Sequence, residues 1–151
     1  MALRLKKILV MEDEPDMLTF LTTLLSAHGY QTAAAANGPA CLKKIRSFHP
    51  DCIVLNAMMA DDEGIRMYVD IKKDEHLSEI PVLIMSSLAR KTFDCHPRFR
   101  GAEDMLEPDA YLAYPPDADE LIGRIQDLIE KQVENRAENR AENQNMPGKK
   151  E

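Results

Sequence analysis

Five short apolar segments recur along the chain and alternate with stretches of helical periodicity. Three of them are rich in branched residues and are typical of strands buried on both faces: KILVM at 7–11, CIVL at 52–55 and VLIM at 82–85. The other two are YQTAAA, from Tyr30, and AYLAY, at 110–114. Strands separated by helices at this spacing predict βαβ units and a parallel sheet.

Between these segments, apolar residues recur at intervals of three and four, which predicts amphipathic helices. Their limits are marked by residues that commonly begin or end helices, such as a proline in the first turn and a glycine at the stop. The chain therefore predicts a doubly wound α/β domain of five strands and five helices. The four clearest helices are expected over Pro15 to His28, Asn37 to Phe48, Gly64 to Lys73 and Asp117 to Val133.

Two segments depart from this regular pattern. The fifth helix is expected between residues 89 and 108, but Pro97 lies inside it and should break or kink it. From Glu134 the repeat ENRAENRAEN lacks an apolar stripe, which predicts a solvated, fraying extension of the last helix rather than a coiled coil. A partner-binding tail is the alternative. We expect one domain over 1–133, followed by a polar helical extension and disordered tail over 134–151.

The composition narrows the possible classes of function. The 151 residues carry a net charge of −7 and are 44% hydrophobic and 30% charged, as in one soluble domain. The acidic balance argues against nonspecific binding to nucleic acid or to an anionic membrane, and the apolar runs are too short to span a bilayer. No secretory signal is expected, and three cysteines without metal-type spacing fit reduced thiols. These features predict a cytoplasmic protein.

Polar residues collect where the predicted strands end. In open parallel sheets, ligands bind outside the carboxyl ends of the strands. Adjacent acids at such a place can hold a divalent cation, although an isolated acidic pair is most often part of a solvated loop. A neighbouring hydroxyl could meet a phosphoryl oxygen. The residues at these ends are, in chain order, Glu12, Asp13, Glu14, Asn56, Ser86, Ser87, Tyr114 and Pro115.

The ordered set of these motifs resembles a known family, the response regulator receiver domains of two-component signalling, which are CheY-like flavodoxin folds. The resemblance covers about residues 6 to 133. It implies a three-layer αβα fold whose five-stranded parallel sheet has the order 2-1-3-4-5. The matching segments are ILVMEDEPDM, HGYQTAAAANGPACL, HPDCIVLNAMMADDEG, IPVLIMSS and AYLAYPPDADEL.

The resemblance also implies roles for individual positions. Asn56 lies where receivers carry the aspartate that accepts a phosphoryl group from a histidine kinase. Glu12 and Asp13 match the acidic pair that holds magnesium, and the backbone carbonyl of Met58 matches a further ligand. Ser86 matches the hydroxyl residue that closes on the phosphoryl group.

Two departures decide the predicted mechanism. The amide of Asn56 has no charged oxygen with which to form an acyl phosphate. Tyr114 takes the place of the family's lysine and offers one hydroxyl donor instead of an ammonium group, so the phosphoryl transition state loses its cation. The Tyr114-Pro115 bond can still adopt the cis form, and Tyr111 matches the aromatic switch position. We therefore predict no enzymatic activity, no required cofactor and at most weak magnesium binding.

The leading interpretation is a single-domain pseudo-receiver that acts through protein partners, such as a histidine kinase, a phosphotransfer protein or another signalling protein. In receivers the output face is formed by the fourth helix, the fifth strand and the fifth helix. A basic group there is expected to meet an acidic partner surface. Its members are Arg90, Lys91, Arg98 and Arg100.

Two alternatives remain open. One is a working phosphorelay component that accepts phosphate at Asp61, Asp62 or a serine, although loop acids after a strand are usually solvated. The other alternative is a metal or small-ligand sensor that uses the vacated pocket at Glu12, Asp13, Asn56 and Ser86. A hydrolytic enzyme, in contrast, is disfavoured, because no nucleophile lies beside a base at the strand ends.

Overall fold

A computed structural model of the protein describes residues 4–88 and 108–144. Within these residues, five parallel strands form one sheet in the order β2-β1-β3-β4-β5. The predicted strand order is therefore confirmed. The strands are β1 (Lys7–Met11), β2 (Gln31–Ala35), β3 (Cys52–Asn56), β4 (Val82–Ser86) and β5 (Ala110–Ala113).

The central strands are buried on both faces, which is why they read as continuous apolar runs rather than alternating ones. Every residue of β3 and β4 is buried, and β1 is buried from Ile8 onward. In the middle of the sheet, Val54 lies opposite Val10 on one side and Leu83 on the other. Strand β2 lies at the edge of the sheet, and its partial exposure accounts for its weaker sequence signal.

Four α-helices lie in the described residues: α1 (Pro15–Ala27), α2 (Gly38–Phe48), α3 (Glu63–Lys73) and α4 (Ala118–Gln144). Their number is one below the five expected, because the segment in which the remaining helix was predicted lies outside the described residues. The last helix continues past the end of its apolar face, and its described part ends at Gln144.

Helices cover both faces of the sheet. On one face, α2 and α3 pack against β1, β3 and β4 through residues such as Ile45, Tyr68 and Ile71. On the other face, α1 and α4 pack through Leu25 and Ile125. The expected three-layer, doubly wound architecture is therefore present. No described helix has both the length and the apolar character needed to cross a membrane.

Candidate functional site

Four polar side chains meet at the carboxyl edge of the sheet, where neighbouring strands end together. Glu12 follows β1, Asn56 ends β3, Ser86 ends β4 and Tyr114 follows β5. The side chains of Glu12, Asn56 and Ser86 are buried, with at most 3% of each residue exposed. Because these strands are adjacent in the sheet, positions spread over about a hundred residues of chain become neighbours.

Asn56 is held by a local turn. Its Oδ1 atom accepts a hydrogen bond of 2.8 Å from the backbone N–H of Met58. The amide oxygen is therefore already engaged within its own loop, and the amide nitrogen can only donate. Asn56 thus acts in this structure as a neutral group that fixes the start of the loop after β3.

Glu12 is the most deeply buried acid of the site, with no exposed surface. Its Oε1 atom accepts hydrogen bonds from the backbone N–H of Glu14 at 3.1 Å and from the hydroxyl of Tyr114 at 3.3 Å. Its Oε2 atom is buried and has no hydrogen-bond partner in the described part of the chain. Burial raises the pKa of Glu12 and the charge of Asp13 adds to this, while the Glu14 N–H and the side chains of Asn56 and Tyr114 oppose it.

Tyr114 closes the cluster from the β5 side. The peptide bond between Tyr114 and Pro115 is cis, as the sequence allowed. Burial raises the pKa of the Tyr114 phenol to about 12, and the neighbouring charge of Glu12 contributes to the same shift. The hydroxyl therefore keeps its proton at neutral pH and donates a hydrogen bond to Glu12. The neutral hydroxyl of Tyr114 therefore occupies the position at which the resemblance places the ammonium group of a lysine.

Ser86 is engaged in local contacts. Its Oγ atom accepts a hydrogen bond of 3.0 Å from the backbone N–H of Leu88 and donates to the Sδ atom of Met58 at 3.3 Å. Met58 itself is 43% exposed, so its thioether lies between the Ser86 hydroxyl and solvent. The position of the Met58 side chain could not be read from the sequence, where only its backbone carbonyl was assigned a role.

Tyr111 connects to the same loop. Its hydroxyl donates a hydrogen bond of 2.6 Å to the backbone carbonyl of Leu88, and its ring is partly buried against the core on the α2–α3 side. Leu88 therefore bonds through its N–H to Ser86 and through its carbonyl to Tyr111. The hydroxyl position and the aromatic switch position that the resemblance identifies are thus joined through one residue, and no sequence signal pointed to this link.

The comparisons with known proteins decide the family. The family model described as "Response regulator receiver domain" matches residues 8–110. The chain belongs to this family. Tyr111 and Tyr114 lie after the end of that match, on β5 and directly after it.

Individual relatives agree with this assignment. The receiver is 33% identical over 131 residues to the probable transcriptional regulator ycf27 of Cyanophora paradoxa. The alignment covers 87% of this chain and 51% of that protein. It is 29% identical over 119 residues to Protein PilH of Pseudomonas aeruginosa, covering 79% of this chain and 93% of that protein. The chain thus spans about half the length of several curated relatives that it matches.

A solved structure supports the fold. A response regulator receiver domain protein (CheY-like) from Methanospirillum hungatei superposes with a TM-score of 0.73 at 20% identity, covering 87% of this chain and 99% of that one. At this level of identity the likeness concerns the fold, and the chemistry of the site depends on the residues that this receiver carries.

Magnesium, which the receiver family implies, does not fit the residues present. Asp13 is exposed, and the carboxylate of Glu14 is turned away to cap α1 by accepting the N–H groups of Asp16 and Met17. In residues 4–88 and 108–144, no three His, Cys, Asp or Glu side chains are placed to hold a metal ion. Magnesium prefers anionic oxygens with several waters, whereas this receiver offers one exposed carboxylate at Asp13, one buried carboxyl of raised pKa at Glu12, and an amide whose oxygen is engaged.

The other predicted positions lie away from these contacts or outside the described residues. Asp61 and Asp62 belong to a short 3-10 turn, Ala60–Asp62, between β3 and α3, and both have left-handed backbone angles, with φ of 56° and 55°. Asp61 is exposed and Asp62 is partly so. The four members of the predicted basic output face, Arg90, Lys91, Arg98 and Arg100, lie outside the described residues.

Replacing Glu12 with glutamine is expected to stabilise the receiver at neutral pH. Because the pKa of Glu12 is raised in the folded state, its protonated form contributes stability that is complete below the ordinary value of 4.5. That contribution is lost as the pH rises through the raised folded value. The Glu12→Gln variant has no such loss. It should therefore be more stable than the natural protein above the raised pKa of Glu12, and the difference should vanish below the ordinary pKa of 4.5.

Urea unfolding over a series of pH values, with a chelator present, measures this difference. Glu134→Gln, an exposed carboxylate on α4, is the matched control and should change stability little at any pH. An equal response of the two variants would contradict the raised pKa of the buried Glu12 carboxyl.

Proposed function

We propose that this receiver is a pseudo-receiver, a component of two-component signalling that acts by binding other proteins and performs no phosphoryl transfer or other catalysis. Its partners would be a histidine kinase, a phosphotransfer protein or another signalling protein of the cytoplasm. The single observation that carries the proposal is the amide of Asn56 at the end of β3, buried and bonded to the Met58 N–H.

The chemistry of phosphoryl transfer supports this proposal. A carboxylate attacks phosphorus through a charged oxygen and forms a new P–O bond while the donor's oxygen leaves. The amide oxygen of Asn56 carries only a partial charge, and its lone pairs are partly used by the Met58 N–H. It therefore cannot form the mixed anhydride.

The surroundings of Asn56 support the same conclusion. Cationic groups placed beside the negatively charged equatorial phosphoryl oxygens are a main source of rate enhancement in this reaction. Tyr114 supplies a neutral hydroxyl that is already donated to Glu12. Ser86 is similarly engaged with Leu88 and Met58. The polar groups of the site are thus bonded to one another and to the neighbouring loops, as expected for a site with a structural role.

Incubation of the purified protein with acetyl phosphate and magnesium tests the proposal. We expect no gain of mass by intact-protein mass spectrometry, and none that hydroxylamine removes. A stoichiometric, hydroxylamine-labile gain would overturn the pseudo-receiver. Repeating the reaction with the Asp61→Asn and Asp62→Asn variants then locates the acceptor, because loss of the gain in either variant would assign phosphate to the loop after β3.

A further inference from the structure

A second charged feature lies at the opposite edge of the sheet, among the amino ends of the strands. A cleft of about 540 Å³ is lined there by the chain leading into β1, the end of α2, the loop before β4 and the far part of α4. We call it the basic cleft. Its basic lining residues are Arg4, Lys6, Arg46, His49, His76 and Arg136.

Carboxylates compensate only part of the positive charge of the basic cleft. The ring of His76 lies 3.5 Å from the carboxylate of Glu75. Asp51 is the one acid among the described residues that line it, and it is only 8% exposed. Its Oδ2 atom accepts a hydrogen bond of 2.8 Å from the backbone N–H of Lys7 and lies 3.8 Å from the guanidinium of Arg4. In the described part of the chain, no carboxylate forms a salt bridge with Arg46 or Arg136.

The floor of the basic cleft is aliphatic. Ile45 is buried, and Leu77 and Ile80 are partly buried beside it. None of the described lining residues is a phenylalanine, tyrosine or tryptophan. A nucleobase would therefore lack the aromatic surface on which bases commonly stack, whereas an aliphatic side chain would find apolar contacts.

We propose that the basic cleft is a docking site for an acidic peptide segment of a partner protein, whose carboxylates meet the rim while an aliphatic side chain rests on the floor. Guanidinium groups bind carboxylates through paired hydrogen bonds. The chain as a whole has a net charge of −7, so its general field repels an acidic partner. A concentrated basic cleft gives such a partner one favourable place to bind. This inference does not depend on the state of Asn56.

Binding of a fluorescent short peptide of alternating glutamate and leucine, measured by anisotropy, tests the proposal. We expect saturable binding to the natural protein, and binding about tenfold weaker to the double variant Arg46→Glu with Arg136→Glu, since each exposed pair contributes modestly. The matched control is Lys43→Glu with Lys44→Glu, which changes the net charge equally at exposed positions of α2 outside the cleft. This control should bind much more like the natural protein.

Three outcomes would overturn the proposal. One is equal weakening in both double variants, which would reduce the effect to net charge. Another is equal binding of the same peptide with glutamine in place of glutamate. The last is displacement of the peptide by ATP or pyrophosphate at lower concentration than by unlabelled peptide, which would assign the cleft to a phosphorylated small molecule. Thermal unfolding of each variant confirms that it is folded, and the acetyl phosphate reaction has no bearing on these results.

Discussion

Replacing Asn56 with aspartate and Tyr114 with lysine together is expected to give a receiver that takes one phosphoryl group from acetyl phosphate in the presence of magnesium. The aspartate supplies the charged oxygen that attacks phosphorus, and it adds an anionic ligand beside Glu12. The lysine supplies the cation for the equatorial oxygens. The hydroxyl of Ser86 is already placed at the neighbouring strand end. Intact-protein mass spectrometry before and after hydroxylamine measures the gain.

The single variants separate the two contributions. The rate of phosphoryl uptake by Asn56→Asp alone should be about 10²–10³-fold lower than that of the double variant. This is the usual cost of removing one charge-stabilising group. Tyr114→Lys alone should not react, and it serves as the matched control for the added cation. If the double variant folds and still takes up no phosphate, the lysine position has been assigned to the wrong residue, or the contacts of Ser86 with Met58 block the site.

Much of this fold could be predicted because burial on both faces leaves a direct trace in the sequence. The runs that form β1, β3 and β4 are continuous and apolar, so their positions and type were predictable to within a residue. The site residues followed from the same reasoning, since the carboxyl ends of adjacent parallel strands must meet. Asn37 was likewise predictable as a helix start, and its Oδ1 atom accepts the Ala40 N–H at 2.8 Å.

The remaining features depend on which side chains meet after folding, and they leave no local pattern. Glu14 belongs to an acidic triplet in the sequence, yet its side chain caps α1, and only its backbone N–H bonds to Glu12. The backbone of Leu88, two residues after the end of β4, bonds to both Ser86 and Tyr111. The basic cleft combines residues from the two ends of the chain, such as Arg4 and Arg136, and is visible only once α4 lies against the sheet.

Replacing Gly64 with alanine is expected to destabilise the receiver strongly, although alanine is the better helix former. A Cβ atom at Gly64 would lie 1.9 Å from the backbone oxygen of Asn56 and 2.9 Å from the Cα atom of Ala57. These are backbone atoms, so no side-chain rotation relieves the clash, and α3 must move away from the end of β3. The helix preference for alanine contributes about 1 kcal/mol. Overpacking typically costs about 1–3 kcal/mol, and a clash with backbone atoms lies at or above the upper end of that range.

The expected net loss for Gly64→Ala is therefore at least about 2 kcal/mol in the free energy of unfolding, measured by urea denaturation. Gly123→Ala is the matched control, because Gly123 lies within α4 and a Cβ atom there would meet nothing within 4 Å. That variant should gain up to about 1 kcal/mol from helix propensity alone. Equal stability of the two variants would mean that α3 is not pressed against β3. The geometry of Asn56 would then lose its main support, since the loop after β3 is fixed between that strand and this helix.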